Sequence, residues 1–163
     1  MIAKELLVQC LEYSLWASLE VLAAAEKLPA EALILDRKAS FGGILETLVH
    51  IFQADRAWIL RLEGNPHARL KRIGETITLA TLKADWPLEM GRLTAWVRSQ
   101  ADHRFEESVY WRNIRGEEKI EKIYKVLLHA VNHASYHRGQ VITMIKQAGG
   151  HVVSTDLVYY DRM

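Results

Sequence analysis

From about Glu121 to Gln147 the chain reads as one long helix, and this stretch constrains the fold more than any other. Apolar residues recur at spacings of three and four throughout, and Gly149-Gly150 closes the run. Val126, Ala130, His133, His137, Gln140 and Met144 share one face, and Leu127, Val131, Ile142 and Ile145 form the adjacent apolar stripe. Such a helix needs partners against which to bury its stripe.

Three more stretches supply them. The first runs from about Ile2 to Lys27, the second from about Gly42 to Glu63, and the third from about Trp86 to Phe105. Prolines at 29, 66 and 87 fall where helices are expected to start or end. Before the last helix, aromatic and β-branched residues flank Arg115-Gly116, which predicts a small two-stranded hairpin. The expected fold is all-α: a four-helix bundle with a small β-hairpin before the last long helix. The long connection from about 64 to 85 leaves an up-down-down-up order as open as simple alternation. No linker or repeat divides the chain, so residues 1–163 are expected to form one domain.

Charge and cysteine content narrow the function. With 21 basic and 20 acidic side chains the net charge is +1, which gives no footprint for nucleic acid or an acidic membrane. The short basic run Arg69, Lys71 and Arg72 reads as a solvated loop. Cys10 stands alone, so neither an internal disulfide nor a thiolate zinc cluster can form. No window approaches 18 uninterrupted apolar residues, and the N-terminus lacks the uncharged core of a signal peptide. A cytoplasmic protein with no membrane span is expected.

Three of the seven histidines, His129, His133 and His137, are spaced by four on the last helix. An i,i+4 pair lies on one face, one turn apart, and can converge on one ion. All three cannot: eight residues span roughly 12 Å at 1.5 Å per residue. One pair must be chosen, and a further ligand must come from another helix. His133 and His137 sit on the semi-apolar face near the helix centre, where buried imidazoles need either hydrogen-bonding neighbours or a metal. Spacing alone leaves both readings open.

The segment His129-Ala-Val-Asn-His-Ala-Ser-Tyr-His-Arg-Gly-Gln-Val141 resembles the late-helix motif of the DinB family of metal-binding four-helix bundles. Leu48-Val-His-Ile-Phe-Gln-Ala-Asp-Arg-Ala-Trp58 is similar to that family's second-helix motif, and Asp156-Leu-Val-Tyr-Tyr-Asp-Arg162 to its tail. The resemblance implies a divalent metal on His50, His133 and His137, with His129 a near neighbour. On its own helix His50 shares a face with Gly43, Glu46, Thr47, Ala54 and Ala57, so its assignment rests on the resemblance.

Three imidazoles leave positions open, the pattern of catalytic rather than structural zinc. All-nitrogen ligation suits zinc or nickel, and also iron or copper. The resemblance further implies a small-molecule enzyme of the thiol-dependent S-transferase or hydrolase type, with a low-molecular-weight thiol as partner. The alternative is a metal-binding stress or interaction protein without turnover, and a homodimer is possible in either case. Gln140, Glu46 and His129 are candidates for support around the ligands. Arg138 is expected to pair with Asp55, Ser135 to point away from the histidines, and Gly139 to allow close helix packing. Trp58, Trp96, Trp111 and Tyr136 read as core or interface aromatics.

Overall fold

The computed structural model describes residues 3–68, 77–113 and 115–160. The run Arg69, Lys71 and Arg72, the start of the first predicted helix at Ile2 and the end of the tail at Arg162 lie outside the described residues. In chain order come α1 (Lys4–Ala25), a short α2 (Ala30–Ile34), α3 (Ile44–Leu62), α4 (Leu79–Ser99), β1 (Ser108–Arg112), β2 (Glu118–Lys122) and α5 (Ile123–Gln147). Single 3-10 turns cover Asp102–Glu106 and Leu157–Tyr159. The described residues are therefore mostly helical, with five α-helices among them and a two-stranded antiparallel hairpin before the last one.

Four of the helices are long, and their apolar stripes decide who meets whom. α1 packs against α4 and α5, and α3 packs against the same two. Leu7, Leu11 and Leu22 of α1, Ile44, Leu48, Ile51 and Ile59 of α3, Leu82, Trp86 and Leu93 of α4 and Val141 of α5 are essentially sealed from solvent. By length and composition α1 could cross a membrane, with 22 residues and a hydropathy of 1.3. Here its Val8, Leu11, Ala17 and Val21 form part of the core.

α4 departs from the expectation that Pro87 marks a helix start. The helix begins at Leu79, capped by Thr78, whose hydroxyl accepts the Thr81 N–H at 3.2 Å. Pro87 lies inside it and Phe105 outside it, in the following 3-10 turn. An interior proline costs about 3 kcal/mol. Leu82, Trp86, Met90, Leu93 and Val97 repeat at helical spacing and are all buried, at roughly 1.5–3 kcal/mol each, so packing outweighs the proline.

In the hairpin, Tyr110 faces Ile120 and Arg112 faces Glu118. Asn113 Oδ1 accepts the backbone N–H groups of Arg115 and Glu117, and Gly116 takes the positive φ of +79° that the turn requires. The hairpin leans on α3 through Trp111, whose ring meets that of Trp58 edge to face at 4.9 Å.

Candidate metal centre

The start of α3 is shaped by a glycine. A Cβ on Gly43 would sit 2.9 Å from the Leu33 carbonyl, so only glycine lets the end of α2 lie this close. Glu46 Oε2 accepts the Gly43 N–H at 3.1 Å, which commits this carboxylate to the helix start rather than to the histidines. A tight turn follows α2, with Lys38 and Gly42 at positive φ and Ala39 bridged to Gly42. It lays the Phe41 ring flat on His50, centroids 3.7 Å apart.

α3 and α5 then bring three imidazoles together. His50 Nε2 lies 3.1 Å from His133 Nε2, and one nitrogen from each of His50, His133 and His137 falls within a 4.8 Å cluster. Two bonds of about 2.1 Å to one ion can span up to about 4.2 Å. The His50–His133 edge lies inside that limit, and the His137 nitrogen completes a cluster only slightly wider than it. Among the described residues no fourth His, Cys, Asp or Glu joins it.

The nitrogens behave as a donor set. His137 Nδ1 donates to Gln140 Oε1 at 2.8 Å, which fixes the proton there and leaves Nε2 its lone pair. Gln140 is anchored in turn, donating through Nε2 to Ser40 Oγ at 3.1 Å. His133 Nδ1 is buried without a partner. Burial pushes His50 and His133 down to about 4, with the neighbouring imidazoles adding to the effect. Both are neutral at pH 7, as ligation requires. One shared proton can join the two facing Nε2 atoms in a hydrogen bond, whereas with the protons on Nδ1 both turn a lone pair toward the same point, as a shared cation would need.

The surroundings sort the other predicted residues. His129 is exposed, one turn before His133, with its ring 5.8 Å away and outside the cluster. Ser135 donates to the Val131 carbonyl and accepts from Arg138, away from the ligands. Arg138 is buried among serines of α1, donating to Ser14 and Ser18, rather than in a close pair with Asp55. Asp55 accepts the Trp86 indole N–H at 3.0 Å instead and feels Arg138 only at longer range. Gly139 is exposed, and a Cβ there would meet nothing within 4 Å, so close helix packing does not explain it. Tyr136 is 63% exposed and sets its ring edge-on to His137 at 5.0 Å. Phe41, Ser40 and Arg37 escape a reading by helical periodicity, because they lie on a turn that reaches the site only through the tertiary fold.

With the histidine geometry in place, comparison with known proteins gives one family. The DinB family model matches residues 1–163. The chain belongs to the DinB family. It is also 25% identical over 155 residues to Protein DinB of Bacillus subtilis (strain 168), covering 91% of this chain and 90% of that protein. In this DinB-family chain the three converging imidazoles come from the two segments that carry the resemblance, Leu48–Trp58 and His129–Val141.

Proposed function

We propose that this DinB-family protein is a metal-dependent enzyme acting on a small molecule, of the thiol-dependent S-transferase or hydrolase type. One divalent ion is held by His50, His133 and His137, with zinc or nickel the best fit and iron or copper also suited to an all-nitrogen set. The observation that carries this reading is the open donor set, three imidazoles with no fourth protein ligand among the described residues. When bound, a divalent ion supplies Lewis acidity to a water, thiol or carbonyl group in the open position.

The chain's own residues do the rest. Gln140 holds the His137 proton on Nδ1, and Phe41 fixes the plane of His50. A cleft of about 390 Å³, lined by Arg37, Tyr136 and Gln140, meets the site at Gln140 and supports a small-molecule reading. Lys4 meets Asp102 and Glu26 meets Lys83, so α1 and α4 run opposite. Asp55 meets Trp86 and Glu63 meets Arg92, so α3 runs with α4. His50 meets His133 while Trp58 meets His129, so α5 runs against α3. These pairs support a four-helix bundle in up-down-down-up order, read as a single domain over 1–163. A cytoplasmic location and a low-molecular-weight thiol partner complete the reading. Nucleic acid has no part in it, and a homodimer is compatible with it.

A second reading, a metal-binding stress or interaction protein without turnover, is favoured by the Phe41 ring that covers His50 and by His137 being only 6% exposed. The test is a screen of zinc- and nickel-loaded protein for conjugation of several cellular thiols to electrophiles and for ester and amide hydrolysis. Metal-dependent turnover in one class, lost in His133→Ala, supports the enzyme. Silence across the panel from fully loaded protein supports the second reading.

A further inference from the structure

A second recess opens where the hairpin leans on α3 and α5. It holds about 310 Å³, with an apolar wall of Trp58, Trp111, Ile120 and Val126, and with His129 and the charged Lys119, Glu121 and Lys125 also lining it. That volume sits at the lower end of small-molecule sites, roughly 300–1,000 Å³. Its wall is stiff. Trp58 and Trp111 meet edge to face, and the Arg61 guanidinium lies over both rings at 4.5 and 4.9 Å. Ile120 is 55% exposed on the hairpin, an apolar side chain left in water at the edge of an apolar hollow.

His129 links this recess to the metal centre. Its ring stands 5.6 Å from that of Trp58 and 5.8 Å from that of His133, so one imidazole borders both. Among the described residues it has ring contacts but no hydrogen-bond partner, and it is exposed, so its ring nitrogens are free to meet a ligand. Packing alone does not require a histidine in this position.

We propose that the recess receives the flat apolar part of the small-molecule substrate and that His129 hydrogen-bonds a polar group on it, aiming the reacting end at the histidine cluster. This rests on the metal-enzyme reading above. His129 is then a substrate-contacting residue and not a ligand, and the class of substrate is a ring-bearing or similarly flat apolar molecule with one polar substituent next to the ring.

The probe is 2-naphthol, a flat ring with one hydroxyl, titrated into zinc-loaded full-length protein by calorimetry and fluorescence, with naphthalene as the hydroxyl-free control. One site is expected. Ile120→Asp, on an exposed position that leaves folding intact, weakens 2-naphthol about tenfold, and His129→Ala weakens it by a similar factor while leaving naphthalene unchanged. Metal content stays at wild type in both, and copper-loaded protein quenches the bound probe because the recess adjoins the ion. Wild-type protein that does not bind the probe, or variants that bind it as tightly as wild type, would overturn the proposal. Binding that depends on Ile120 and His129 in protein that holds no metal would support the recess and overturn the metal reading, so the two failures are distinguishable.

Discussion

Gln140 shows how much one side chain contributes without touching an ion. It holds the His137 Nδ1 proton and is itself held by Ser40, so the ring is oriented by a chain of two hydrogen bonds. Removing such support lowers metal affinity by roughly 10–100-fold. Gln140→Ala is expected to retain one ion at saturation yet lose it to a competing chelator at correspondingly lower concentration. A competition titration with a chromogenic chelator checks this. The depressed His50 and His133 make a second prediction at this scale. In chelator-treated protein the folded chain holds both neutral to about pH 4, while the unfolded chain takes up protons near 6.5. The unfolded state binds more protons between those values, so the stability they allow is fully present above 6.5 and is lost as pH falls toward 4. Urea midpoints of the metal-free protein should fall through that window, and the double variant His50→Gln/His133→Gln should flatten the decline. An unchanged acid limb in the double variant would mean that these two rings do not set it.

Among the elements, α5 was the most legible in sequence and α4 the least. The i,i+4 pair His133 and His137 is a local pattern, and local patterns survive folding. The hairpin likewise followed from Arg115-Gly116 between β-forming residues. α4 hides its true start because Pro87 looks like a boundary, whereas five buried apolar residues carry the helix through it and Thr78 starts it. The Asp55–Arg138 pairing failed for another reason. Both residues are buried on neighbouring helices, but their hydrogen bonds go to Trp86 and to the serines of α1, and no periodicity specifies that choice. The indole–carboxylate bond ties α3 to α4 in the core. Asp55→Ala leaves the Trp86 N–H without its partner and Arg138 without its nearby charge, which should cost about 1–3 kcal/mol. The double variant Asp55→Ala/Trp86→Phe should cost less than the sum of the two single variants, because each single change already removes the shared bond. A double-mutant cycle by urea unfolding measures the coupling, and additivity would contradict the bond.

At the scale of the whole molecule, four long helices meet so that residues 83 positions apart, His50 and His133, face each other at 3.1 Å. The helical pattern around His50 does not mark it as a ligand; only the resemblance of the segment from Leu48 to Trp58 points to it. Its helix face carries Glu46 and Ala54 as readily as a surface would, and it becomes a site residue only when α3 docks on α5. The same docking leaves His129 outside the cluster, which gives the account a sharp internal contrast between four histidines. The most direct test is metal analysis of purified protein by mass spectrometry beside His50→Ala, His133→Ala, His137→Ala and His129→Gln. About one divalent ion per chain is expected in the wild type and in His129→Gln, with loss of the ion in each of the other three. Full metal content in the His133 and His137 variants, or loss of the ion in His129→Gln, would contradict the three-histidine centre.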